Sequence, residues 1–253
     1  MSKYFISLCC TLYALSAFSQ NKPIDLQPKD TVERHQKYGL RVGVDLSRMI
    51  PSFFTDDYTG LEFVGDYRLT QKLYVAAELG NEKKTKQEDV YNFTTSGSYI
   101  KLGVDYNTYA NWYGEQNLIY IGGRYAFSSF SQSLNNYQIY DSNRYWNPVD
   151  FIEGSSGPQE FSGLSASWLE FVFGTKIELF ANIYLGASIR LGFLVSNKEP
   201  DNFQNLFIPG FNKVTEGSKF GVGYNYSLTY FIPLYKKVEK KKKEKVAEEE
   251  IQE

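Results

Sequence analysis

The stretch from Leu61 to Gly80, LEFVGDYRLTQKLYVAAELG, restricts what this chain can fold into more than any other. At a period of two, Leu61, Phe63, Tyr67 and Leu69 share one face with Gly65, while Glu62, Val64, Asp66, Arg68 and Thr70 share the other. After Gln71-Lys72 the alternation resumes, with Leu73, Val75, Ala77 and Leu79 against Tyr74, Ala76, Glu78 and Gly80. Successive side chains of a strand point to opposite faces, so the pattern predicts a hairpin with a very short turn. One face is apolar and the other carries charge and glycine.

The same period recurs. Tyr38, Leu40, Val42, Val44 and Leu46 alternate with Gly39, Arg41, Gly43, Asp45 and Ser47. Ile100, Leu102, Val104 and Tyr106 oppose Tyr99, Lys101, Gly103, Asp105 and Asn107, and Ile119, Ile121, Tyr125 and Phe127 oppose Tyr120, Gly122, Arg124, Ala126 and Ser128. Further strands carry Leu169 to Leu179, Ile183 to Phe193 and Val222 to Ile232. The expected fold class is therefore all-β, a transmembrane up-and-down antiparallel barrel of about eight strands. Short turns follow the second, fourth and sixth strands. Longer loops follow the others, at 51–58, in the polar run after Gly80, from about Phe130 to Ser165, and from about Ser196 to Gly217.

The first residues, MSKYFISLCCTLYALSAFSQ, have one basic residue, a short apolar run and small residues at Ala17 and Ser19. That layout reads as a signal peptide over 1–19. Both cysteines, Cys9 and Cys10, fall inside it, so the processed chain is expected to lack thiol chemistry. A polar lead-in over 20–37, a barrel over 38–235 and a charged tail over 236–253 complete the division. The formal net charge of -2 offers no field for nucleic acid.

Which face points inward is a question of volume. An eight-stranded barrel has an interior just wide enough for side chains or one small ligand. About forty large apolar side chains would not fit there. Glycines on the polar face, among them Gly39, Gly43, Gly103, Gly122, Gly174, Gly186, Gly192, Gly221 and Gly223, agree, since in a crowded bore they leave room for long charged neighbours. With the apolar face outward, the bore holds Arg41, Arg68, Lys101, Arg124, Lys176 and Arg190 against Asp45, Glu62, Asp66, Glu78, Asp105, Glu170 and Glu178. The signs nearly cancel, as buried charges must, and a plug of ion pairs is expected.

The signal peptide, the alternating strands and the aromatic closing strand YNYSLTYFIPL together resemble small outer-membrane barrels of the OmpA-transmembrane and OmpX type. The AFSQ segment and the richness in tyrosine and asparagine resemble uncharacterised Bacteroidota-type members of that class. The resemblance covers about Tyr38 to Tyr235. It implies the outer membrane of a Gram-negative bacterium, both termini periplasmic, with outer-membrane lipid and the barrel-assembly machinery as partners. An aromatic residue usually ends such chains, whereas a charged tail follows Tyr235 here. Neither a functional residue nor an oligomeric state carries over from it.

Chemistry-bearing motifs are few. His35, the one histidine, lies in the lead-in and reads as a solvated linker residue. Glu62 with Asp66, or Glu170 with Glu178, could do acid-base work, but the interleaved arginines favour structural ion pairs. No nucleotide-binding or zinc-protease pattern is present, and no cofactor or metal is expected. The loops are richer in aromatics. Phe53, Phe54, Tyr145, Trp146, Phe207 and Phe211 read as a surface for an extracellular ligand or, alternatively, as rings packing a loop cap. The expected function is a non-enzymatic outer-membrane barrel with a charge-plugged bore and aromatic outer loops. The alternative is a narrow pore or an OmpW-like transporter of small or apolar molecules.

Overall fold

The structure, a computed structural model, describes residues 35–109, 116–140, 151–153, 158–200, 204–213 and 217–238. In chain order the elements are β1 (His35–Asp45), α1 (Leu46–Phe54), β2 (Tyr58–Arg68), β3 (Leu73–Gln87), β4 (Tyr91–Asn107), β5 (Leu118–Tyr140), β6 (Phe151–Glu153), β7 (Gln159–Phe180), β8 (Ile183–Lys198) and β9 (Phe220–Val238). Every pairing is antiparallel, in the order β4-β3-β2-β1-β9-β8-β7-β5. A β4–β5 ladder closes the ring, and β6 only extends β5 at its far end. No helix among the described residues is long and apolar enough to cross a membrane.

The turns beside the termini follow from local chemistry. Between β2 and β3 the N–H groups of Leu69 and Thr70 both donate to the Leu73 carbonyl, at 3.0 and 3.1 Å, and the Thr70 hydroxyl accepts from Leu73 N–H at 2.9 Å. Between β7 and β8, Ala181 and Asn182 take φ of 38° and 71°, the left-handed pair that a two-residue turn between twisted strands demands. At this end the ladder is longer than the alternation predicts. β1 begins at His35 and β9 runs to Val238, so their ladder reaches into the expected lead-in and tail.

At the opposite end, called the loop end below, the differences are larger. Leu46 and Ser47 are helical, because Asp45 caps α1 by accepting from Ser47 N–H at 2.7 Å. β1 thus stops opposite Ser227, while β9 continues to Phe220 and β2 starts at Tyr58. The helix stands in the resulting gap, packed on β2 and β9. The polar run after Gly80 is not a loop but strand, since β3 pairs with β4 as far as Gln87. Likewise β5 and β7 run well into the expected irregular segment, paired as far as Leu134 and Gln159.

Those extensions have inverted polarity. Along β5 the outward residues Ile119, Ile121, Tyr125 and Phe127 give way to Ser129 and Ser131, while the inward set changes from Gly122, Arg124 and Ser128 to Phe130 and Leu134. β3 does the same outside, passing from Leu79 to Asn81 and Lys83. An apolar band therefore girdles the ring, bounded on β5 by Ile119 and Phe127 and on β7 by Leu169 and Leu179. Beyond it the strands are polar outside, while their inward side mixes apolar residues such as Phe93, Phe130, Leu134 and Leu164 with the buried Glu82, Thr95 and Gln132. Tyr99, Ala126, Phe130, Leu164, Ala166, Trp168 and Leu194 form a core from the edge of the band upward, completed by Ile208 and Phe211 from the 204–213 segment.

Candidate functional site

The band's interior is a cross-linked ionic layer. Glu78 on β3 and Arg190 on β8 lie on opposite sides of the ring, yet Arg190 donates to both Glu78 oxygens, at 2.5 and 3.1 Å. Arg124 also reaches Glu78, at 3.4 Å, and donates in bidentate fashion to Asp105 at 2.7 and 2.9 Å. Lys101 lies 3.0 Å from Glu170, which also receives the Trp168 indole N–H at 2.7 Å. A second strut crosses nearer the termini. Asp66 on β2 accepts from Arg41 on the neighbouring strand at 2.8 Å and from Lys176 on the opposite wall at 2.5 Å. The Arg41 guanidinium lies against Tyr74 and Tyr184, 4.9 and 5.2 Å from their ring centres. Buried charges persist only when paired and hydrogen-bonded, and these satisfy both conditions.

Four of the expected ion-pair residues take other partners. Asp45 is buried but serves as the α1 cap, with Ser47 and Asn225 as its hydrogen-bond donors. Glu62 accepts from the Tyr99 hydroxyl at 2.5 Å and from Asn225 at 3.3 Å. Arg68 sits at the terminal rim, bonded to the Lys37 carbonyl and Gln36 and stacked on Tyr38. Glu178 is half-buried and accepts from Tyr184 at 3.1 Å and Asn182 N–H at 3.2 Å. Among the described residues none of these four lies within ion-pair distance of an opposite charge, because each lies at an edge of the layer or faces a hydrogen-bond donor instead.

The glycines make room for rings as well as for charges. Gly80 and Gly210 both face Tyr99 so closely that a methyl group on either would overlap the ring, and Gly210 has φ +82°. Tyr99 is thereby clamped between β3 and the 204–213 segment. Gly103 gives the same clearance to Arg124.

Above this layer the 204–213 segment folds into the mouth. Gly210 N–H donates to Glu82 at 2.7 Å, and Leu206 N–H donates to Gln132 at 2.9 Å. Glu82 is fully buried and also accepts from Tyr58 at 2.7 Å and pairs with Arg48 of α1 at 2.8 Å. Burial and then the Glu82 carboxylate push the Tyr58 hydroxyl well above its ordinary pKa, so it remains a neutral donor. Phe211 is buried against Trp168, ring centres 5.5 Å apart, which makes it part of the cap core instead of a free surface residue. Phe207 is half-buried, while Phe53 and Phe54 stand out from α1, 75% and 84% exposed. Tyr145 and Trp146 lie outside the described residues. Arg48, Glu82 and Gln132 were missed at the sequence level. Glu82 is in phase with Glu78, so carrying the alternation past Gly80 would have found it.

Comparisons with curated proteins and with solved structures found no match. A family model described as a domain of unknown function (DUF6048) matches residues 1–237. The ring of eight strands, with its bore crossed by ion pairs, therefore belongs to a member of the DUF6048 family.

Proposed function

We propose that this chain is an integral outer-membrane β-barrel, similar in kind to the OmpA-transmembrane and OmpX type, whose bore is closed and whose work is done at the loop end. The inversion of polarity carries this reading. A side chain can be apolar and outward throughout a band only if the band's solvent is itself apolar, and a spanning strand needs about 9–11 residues, close to the run from Ile119 to Phe127 on β5. Past that run the outward face turns polar and an apolar core gathers inside around Phe130, Leu164 and Phe211, as in water-soluble proteins. Hydrocarbon around the band and water above it account for both halves. The long extensions then face the cell exterior and both termini face the periplasm.

A transport role has less support. Rings and guanidinium groups fill the space beside the bore glycines, and a cavity of about 20 Å³ next to Asp45, Glu62 and Arg190 has room for about one water. Two struts cross the bore and the folded segment covers it. The reading includes no enzymatic step, since the buried carboxylates are occupied by cations and hydrogen-bond donors.

Two measurements test this. Alkaline carbonate washing should leave the protein in the membrane fraction, whereas release into the wash would end the membrane assignment. Purified protein in planar bilayers should show no steady conductance. A stable conductance would restore the pore.

A further inference from the structure

Among the described residues a cleft of about 380 Å³ lies between the β3–β4 hairpin and the 204–213 segment. Its walls include Lys84, Lys86, Tyr91, Phe207 and Lys213, with Phe93, Ile208 and Phe211 behind them. Lys84 and Lys86 continue the inward phase of Glu78 and Glu82 on β3 and lie past its last apolar outward residue, Leu79, so the cleft sits beyond the apolar band. A ligand entering it comes from solution.

Its charge is one-sided. Lys86 pairs with Glu88, the one acidic residue among the described lining residues. Lys84 and Lys213 have no carboxylate within ion-pair distance among the described residues. The Lys84 ammonium instead lies 4.9 Å from the centre of the Phe207 ring, and Lys213 donates to the Asn205 carbonyl at 3.4 Å. Burial, and then the neighbouring Lys86, hold Lys84 below the ordinary lysine pKa. Two under-compensated cations and a half-buried aromatic ring together line a space within the size range of small-molecule sites. The cations match an anionic group, and Phe207 offers an apolar surface for the ring that carries it.

We propose that this cleft binds a soluble acidic sugar, a phosphate or carboxylate carried on a hydroxylated ring, with Lys84 and Lys213 on the anion and Phe207 against the ring. The proposal rests on the loop end being the working face. It does not depend on conductance or membrane retention, so either can fail without the other.

The test is calorimetric titration of the full chain in detergent with glucose 6-phosphate and with glucuronic acid, using glucose and inorganic phosphate as references. An acidic sugar should bind saturably and at least about tenfold more tightly than either reference, because only it engages cations and ring together. Lys84→Gln and Lys213→Gln should each weaken that binding about tenfold, the scale of a charge-assisted hydrogen bond. Phe207→Ala should weaken the sugar ligands and leave inorganic phosphate unchanged. The unmodified protein supplies a readout independent of variant folding, since a saturating acidic sugar should slow acylation of Lys84 by a water-soluble amine reagent, followed by peptide mass spectrometry. Absence of saturable binding by both acidic sugars overturns the proposal, as does undiminished binding in both lysine variants or unchanged Lys84 acylation.

Discussion

Replacing Glu82 with alanine would test what holds the 204–213 segment in the mouth. That one carboxylate accepts from Gly210 N–H and Tyr58 and pairs with Arg48, each at 2.7 to 2.8 Å. A buried N–H left without its acceptor costs about 1–3 kcal/mol. The Arg48 contribution is discounted, because its side chain is 14% exposed and water can reach it. The segment keeps its Gln132 anchor and the packing of Phe211 on Trp168, so opening should become easier by about 2 kcal/mol, or roughly 30-fold in population. Ile208→Cys reports that population directly, since Ile208 is 1% exposed and the processed chain is expected to have no other thiol. Its labelling by a water-soluble maleimide should accelerate about 30-fold on adding Glu82→Ala, with a smaller effect for Glu82→Gln, which keeps an acceptor oxygen. The folded barrel's heat-dependent gel mobility should not change, because the struts beneath remain. A labelling rate within about twofold of the parent would refute the idea that Glu82 is the segment's anchor.

Three other outcomes are expected. Glu78→Ala leaves Arg190 buried without its main partner and should lower stability to urea in lipid vesicles by about 3–5 kcal/mol, with part recovered on adding Arg190→Met; a neutral single variant would contradict the strut. Phe171→Arg in the middle of the apolar band should cost about 2–4 kcal/mol in the same assay, whereas Ser131→Arg beyond the band should stay within about 0.5 kcal/mol; equal effects would remove the case for a lipid boundary between them. Phe211→Ala should shift Trp168 fluorescence to the red in a Trp112→Phe, Trp146→Phe background, since the ring that excludes water from the indole is gone. An unchanged spectrum would place Phe211 outside the cap core.

The period-two alternation by itself determined the all-β class and the inward phase of Arg41, Asp66, Glu78, Lys101, Asp105, Arg124, Glu170, Lys176 and Arg190. Those properties are local, because a strand alternates faces wherever it sits. The alternation stopped being legible at Gly80, where both faces of β3 become polar, and at Phe130, where β5 puts its apolar residues on the inward face, because either change within one strand looks like irregular sequence. Only the tertiary structure decided who pairs with whom. Arg190 meets Glu78 and Lys176 meets Asp66 because ring closure sets β8 opposite β3 and β7 opposite β2. Likewise Asp45 and Glu62 go to hydrogen-bond donors, and Phe211 to the cap, because α1 and the 204–213 segment fold back over the mouth. The two struts and the Gly210–Glu82 bond join residues more than a hundred positions apart, and no local period encodes them.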